Sequence, residues 1–231
     1  NAANDTAYKT VVACSGPLAG TYTIGAAAAD FIDFSEAALA LQYCGVSAPV
    51  VFNVQSGIYN EHIVIRPVDG ASATNTITFQ SATGVNTDVT LRYAASTASD
   101  NYVLWLDSAN YLRFRNMTLQ ATSANNYGYV VLMNGGASYN NFENNILQSV
   151  TSTSTTAAPV YSGSGASDSY NVFVNNQLKD GYYGVYNYAS SSVRKFSNKY
   201  IGNTITGAYY YGIFTYYNDS LEVSSNNIRN A

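Results

Sequence analysis

The sequence predicts an all-β protein: a right-handed parallel β-helix carrying a short N-terminal capping helix. Three observations lead there. Only 10% of the 231 residues are charged while 47% are hydrophobic, against ~25% charged in an ordinary globular chain. Ser, Thr, Asn and Gly make up the balance, and they suit strands and tight turns better than solvated helices. Five segments then fall into one frame: RFRNMTL (113–119), NFENNIL (141–147), VFVNNQL (172–178), KFSNKYI (195–201) and EVSSNNI (222–228). Short alternating strands of about five residues fill the chain between residues 50 and 106.

From the N-terminus, residues 1–49 are expected to form a leading segment and cap. DFSEAALALQYCG (33–45) is the good helix candidate, with Phe34, Ala37, Ala38 and Leu41 on one face at helical spacing. Asp33 and Glu36 can cap its start and Gly45 can end it. Laid apolar face down, such a helix covers strand edges that otherwise invite aggregation. The two cysteines, Cys14 and Cys44, are read either as a disulfide tying the leader to this cap or as two buried thiols. The paucity of charge points to an extracellular setting, which favours the bridge. Closing a loop of about 30 residues would stabilise the fold by about 3 kcal/mol on a chain-entropy model.

The coils are expected over 50–231. VVFNV (50–54), HIVIR (62–66), TITFQ (76–80), DVTLR (88–92) and YVLWL (102–106) alternate as half-buried strands do. Beyond them the anchors Phe114, Phe142, Phe173, Phe196 and Val223 recur at intervals of about 23 to 31 residues, a repeat length that suits one coil per repeat. The Asn pairs 144–145, 175–176 and 226–227 are placed at one turn in successive coils. There Asn tolerates a left-handed backbone and its amide can bond up the stack. About seven coils follow from this period, and the usual hand of parallel crossovers makes them right-handed. The chain stops within a coil, so more chain or a partner is expected to cover the last rung.

GTYTIG (20–25), DFIDFSEAALAL (30–41), CGVSAPVVFNVQSGIYNEHIVI (44–65) and GASATNTITFQS (70–81) resemble the cap and first coils of right-handed parallel β-helix repeat proteins. These are common in secreted or surface-attached proteins of Bacteroidota, many exported by type IX secretion. The resemblance covers residues 20–120 and implies the fold and a secreted or cell-surface location. It brings no catalytic residues.

Net charge is −4 with ten basic residues scattered along the chain, so neither nucleic acid nor an anionic membrane is an expected partner. Nor is any apolar run long enough to insert in a bilayer. Glycoside hydrolysis needs carboxylates about 5–10 Å apart, whereas Glu143 and Glu222 are assigned one frame position some ~14 Å apart at ~4.8 Å per rung. Asp107, Asp168 and Asp219 each precede a Ser or sit beside a turn and are read as turn formers. The lone His62 is read as an exposed strand residue, and no carboxylate cluster suggests calcium. The expectation is therefore a protein that is not an enzyme and needs no cofactor or metal. The DTA, DSA and DSL triplets mark Thr6, Ser108 and Ser220 as O-glycosylation candidates, although turn formation is the favoured reading of such short motifs.

What remains is aromatic crowding: GAYYYGIFTYYN (207–218) is half Tyr and Phe. Aligning Gly128, Gly184 and Gly212 points Val185 and Ile213 inward and Tyr186, Tyr188, Phe214 and Tyr216 outward. With the frame reversed, the same rings would fill the core. An outward ladder suits a structural or adhesive module, part of a fibre or filament, that binds copies of itself, other surface chains or glycans. The alternatives are a polysaccharide lyase, glycoside hydrolase or glycan-binding domain, with its site near 148–170, and a bare spacer.

Overall fold

A computed structural model describes residues 14–26 and 28–229. It is a right-handed parallel β-helix with one short helix, wound from three parallel sheets. Sheet A stacks Leu18–Ile24, Val46–Val54, Ile77–Ser81, Leu112–Arg115, Asn141–Glu143, Val172–Val174, Lys199–Ile201 and Glu222–Ser224. Sheet B stacks Gly57–Asn60, Val89–Tyr93, Thr118–Ala121, Ile146–Gln148, Gln177–Lys179, Thr204–Thr206 and Asn227–Arg229. Sheet C stacks Ile63–Ile65, Leu104–Asp107, Gly128–Asn134, Ala157–Ser162, Tyr183–Tyr188 and Tyr211–Tyr216.

Alternation sends one residue in two to the interior, where like stacks on like. Phe52, Phe79, Phe114, Phe142, Phe173 and Tyr200 form one fully buried column in sheet A. Its ring centroids are 4.7–5.4 Å apart. Sheet B contributes Leu91, Leu119, Leu147, Leu178 and Ile205. In the last rung the same columns end in Val223 and Ile228, which are 47% and 49% exposed.

The fourth repeat sits four residues later than the sequence frame placed it. Tyr200, not Phe196, pairs with Phe173 and Val223, and Phe196 is 40% exposed on the short strand Lys195–Phe196. The segment KFSNKYI looked like its neighbours because Asn198 follows an aromatic residue. That Asn belongs to a different ladder, in which Asn140, Asn171 and Asn198 bond one another at the corner between sheets C and A. The ladder at the corner from A to B is Asn145, Asn176, Asn203 and Asn226, so the final pair reads Ser225–Asn226. Preceding it, Asn116, Asn144, Asn175, Gly202 and Ser225 all take the left-handed backbone. Each interior amide in these ladders both donates and accepts, so the ladder side chains are themselves paired.

The helix spans Phe34–Cys44. Asp33 Oδ1 accepts from the Glu36 N–H at 2.8 Å, and Glu61 accepts from the N–H groups of Phe34 and Ser35. Gly45 closes it at φ 65°, where a Cβ would lie 2.8 Å from the Asp69 carbonyl oxygen. Phe34 is fully buried against Phe79 and Tyr59, so the helix seals the interior of the first coils. Cys14 and Cys44 are joined by a disulfide across 30 residues.

Candidate functional site

The outward side chains of sheet C make the most distinctive surface. Val64, Trp105, Leu132, Tyr161, Tyr186 and Phe214 stand in register as one outward row. Beside it Asp107 pairs with Asn134, and Tyr188 with Tyr216. Inward neighbours Val185 and Asn187 are buried while Tyr186 and Tyr188 are partly open. Tyr186, Tyr188, Phe214 and Tyr216 thus lie together on the outer face, with Tyr216 48% exposed.

Their rings stack nearly parallel. Tyr161 lies over Tyr186 at 4.9 Å and 8°, Tyr186 over Phe214 at 5.4 Å and 16°, and Tyr188 over Tyr216 at 5.4 Å and 10°. Tyr183 and Tyr211 add a fourth pair at 6.4 Å, and Tyr129 packs on Tyr161 at 4.1 Å. Burial, followed by neighbouring phenols, pushes the Tyr186 hydroxyl up to about 12. It is therefore a neutral donor at physiological pH. The alignment on glycines missed Tyr161, because Gly128 lies opposite Ala157 and outside the Gly184 column. The two glycines answer separate crowding: a Cβ at Gly128 would meet Ser149 Oγ, and one at Gly184 the Gly212 carbonyl.

Toward the helix the same face becomes polar. Arg66 Nε lies 3.5 Å from Asp107 Oδ2, and Trp105 donates its indole N–H to Asn134 Oδ1 at 3.0 Å. The row ends at a cleft of about 240 Å³ lined by Ser35, Gln42, His62, Val64 and Arg66. His62 is half-buried there, not an exposed strand residue. It is sandwiched between Tyr93 at 3.9 Å and Tyr102 at 4.7 Å, with Nδ1 buried and unpaired. Burial lowers its pKa against the opposing pull of Asp100, so the imidazole is neutral at pH 7. An aromatic residue before and after the neighbouring strands was visible in the sequence, but nothing marked those rings as His62 partners.

A second aromatic stack lies at the corner from sheet C to sheet A. Tyr111, Tyr139 and Tyr170 share left-handed backbones at φ 63°, 60° and 59°. Their rings stack at 5.1 and 4.7 Å. With Arg113, Asn141 and Val172 they line a cleft of about 310 Å³, into which Asn141 brings a buried, unpaired Oδ1. Tyr139 and Tyr170 each stand one residue before an Asn of the corner ladder, Asn140 and Asn171, and that pair was a readable signal.

The carboxylates are arranged differently from the sequence frame. Glu143 shares its outward column with Arg115, its Oε2 lying 3.2 Å from Arg115 Nε as an ion pair, while Glu222 stands in the next column, 2.9 Å from Lys199. Asp219 pairs with Arg194. Asp168 is buried against Lys195 as well as ordering a turn. Residues 148–170 hold the sheet C strand Ala157–Ser162 between two turns, in place of an inserted lobe. Ser108 and Ser220 occupy left-handed turn positions, and Thr6 lies outside the described residues.

No protein-family model matches the chain, and no curated protein does. Its structure is similar to the crystal structure of the pectin methylesterase from Aspergillus niger in deglycosylated form, with a TM-score of 0.55. Identity is 12%, over 94% of this chain and 87% of that one. The penultimately deglycosylated form of the same enzyme aligns at a TM-score of 0.38 and 14% identity, over 97% of this chain and 88% of that one. The likeness establishes a shared fold. It also overturns the expectation that the chain is not an enzyme: a β-helix of this shape and size carries catalysis in another protein. Lack of a close Asp/Glu pair in the repeat frame is therefore no ground for excluding chemistry.

Proposed function

We propose that this protein engages an extracellular polysaccharide along the outward face of sheet C. The observation that carries the reading is the in-register ring ladder of Tyr161, Tyr186 and Phe214 beside Tyr188 and Tyr216. The apolar C–H face of a sugar stacks on such rings while its hydroxyls meet the phenolic tips. Rungs repeat at ~4.8 Å, close to the length of one residue in an extended glycan, so successive sugars can meet successive rungs. Half-exposed rings gain ~25 cal/mol per Å² when covered, a gain that idle surface forgoes. A fold shared with an enzyme whose name places it on pectin, the disulfide and the likeness of residues 20–120 to exported repeat proteins support this setting.

The polar end of the same face favours a further reading, action on the bound glycan. Asp107 is a partly open carboxylate fixed by Arg66, one rung from Asn134 and on the rung of Trp105. A carboxylate in that place can serve as base or nucleophile toward a sugar lying along the row.

The test combines binding with turnover on immobilised and soluble polysaccharides, pectin included. The double variant Tyr186→Ser, Phe214→Ser should bind about tenfold or more weakly while its circular dichroism stays native. Asp107→Asn should keep binding and lose any product release. Undiminished glycan binding by the folded double variant would overturn the reading. So would sedimentation showing that the rings are covered only by a second copy or another surface chain.

A further inference from the structure

The interior holds one group of reactive side chains for which the glycan-facing surface has no use. Lys195 and Asp168 are both fully buried, with Nζ 3.7 Å from Oδ2. Ser162, the last residue of the sheet C strand Ala157–Ser162, stands between them. Its hydroxyl donates to Asp168 Oδ2 at 2.6 Å and accepts from Lys195 Nζ. Asp168 Oδ1 accepts two backbone N–H groups, from Gly136 at 2.9 Å and Ala137 at 3.0 Å. Lys195 Nζ also donates to the carbonyl oxygens of Ser162 at 3.0 Å and Gly163 at 2.9 Å. Three successive coils meet at this cluster.

We propose that Lys195 and Asp168 condense into an intramolecular isopeptide bond that locks adjacent coils together. The arrangement supplies each part an amide-forming reaction needs. A charge without water is costly, and burial lowers the Lys195 pKa to about 8, easing passage to the neutral amine. The ammonium gives one proton through the Ser162 hydroxyl to Asp168 Oδ2, leaving an amine and a carboxylic acid. Two amine hydrogens stay on the carbonyls of Ser162 and Gly163, and the lone pair, freed on the side of the Ser162 hydroxyl and the Asp168 carboxyl, must turn onto Cγ to react. Attack forms the N–C bond and places negative charge on Oδ1, where the Gly136 and Ala137 amides receive it as an oxyanion hole. Oδ2 then leaves as water, taking its second proton from the nitrogen through Ser162. One ammonium and one carboxylate become one amide and one water, with no oxidant or co-reactant. Fixing both partners in a dry site supplies the effective concentration such a step requires.

Intact-mass spectrometry of the purified protein tests this directly. The expected mass is that of the disulfide-bonded chain less one water, and proteolysis should release a branched peptide joining residues 168 and 195. Asp168→Asn keeps the same acceptor oxygen and offers ammonia as leaving group, so its deficit should change from one water to one ammonia. Ser162→Ala should leave folded protein unlinked or linked far more slowly after refolding. A wild-type mass with no deficit beyond the disulfide, and no branched peptide, would show a plain buried ion pair and overturn the proposal, whether or not the variants fold.

Discussion

Single residues in this molecule are governed by what stacks above and below them, and His62 shows the consequence for pH. Its ring lies between Tyr93 and Tyr102 with one nitrogen buried and unpaired, so burial lowers its pKa from the ordinary 6.5. The unfolded chain therefore binds the proton more readily, and stability rises with pH through this window. The contribution is complete above about pH 6.5 and is lost as pH falls toward the folded value. Asp100, held low first by its bond from the Thr97 hydroxyl and then by backbone N–H groups, adds a separate loss further into acid. Melting temperature should thus fall between pH 7 and pH 5, and His62→Phe, which keeps the stack without the charge, should flatten that step. An unchanged acid profile in the folded variant would assign the loss to other groups. His62 was legible as a lone histidine on an alternating strand, but its burial was not, because both its partners lie in other strands or turns.

At the scale of elements, legibility followed local chemistry. The helix could be read to within a residue because Asp33, Glu36 and Gly45 act within its own length. The column of Phe114, Phe142 and Phe173 was legible because every coil imposes the same inward position. The frame slipped where two ladders use the same residue type: Asn198 serves the corner from C to A, whereas Asn203 serves the corner from A to B. Glycine was no safer a marker, since Gly128 and Gly184 relieve different collisions. The polar end of the outer face stayed hidden because its outward positions are not filled by like residues from rung to rung, so Arg66, Asp107 and Asn134 leave no repeat. For the cap, the disulfide gives a direct forecast. A cross-link over 30 residues contributes roughly 3–4 kcal/mol on a chain-entropy model, all of it local to the cap. Reduction should speed hydrogen exchange in Leu18–Ile24 and the helix, while strands from Leu112 onward keep their protection. Uniform loss along the whole chain would mean that the cap nucleates every coil.

For the whole molecule, each rung touches only its neighbours, so stability should depend on how completely a rung is sandwiched. The aromatic column offers a comparison, because its inward positions run from fully covered to half-open at the last rung. Phe142 is fully buried between Phe114 at 5.1 Å and Phe173 at 4.7 Å. Val223 continues the column through Tyr200 yet is 47% exposed, with no rung beyond it among the described residues. Truncating a sandwiched aromatic removes transfer energy and opens a cavity, costing about 3–5 kcal/mol. Truncating a half-open aliphatic side chain leaves no closed cavity and should cost under ~1 kcal/mol. Chemical denaturation of Phe142→Ala and Val223→Ala should therefore show a large midpoint shift for the first and a small one for the second. Comparable costs at both sites would mean that the final rung is covered in solution, by a further copy or another chain, and that the isolated coil is not the working unit.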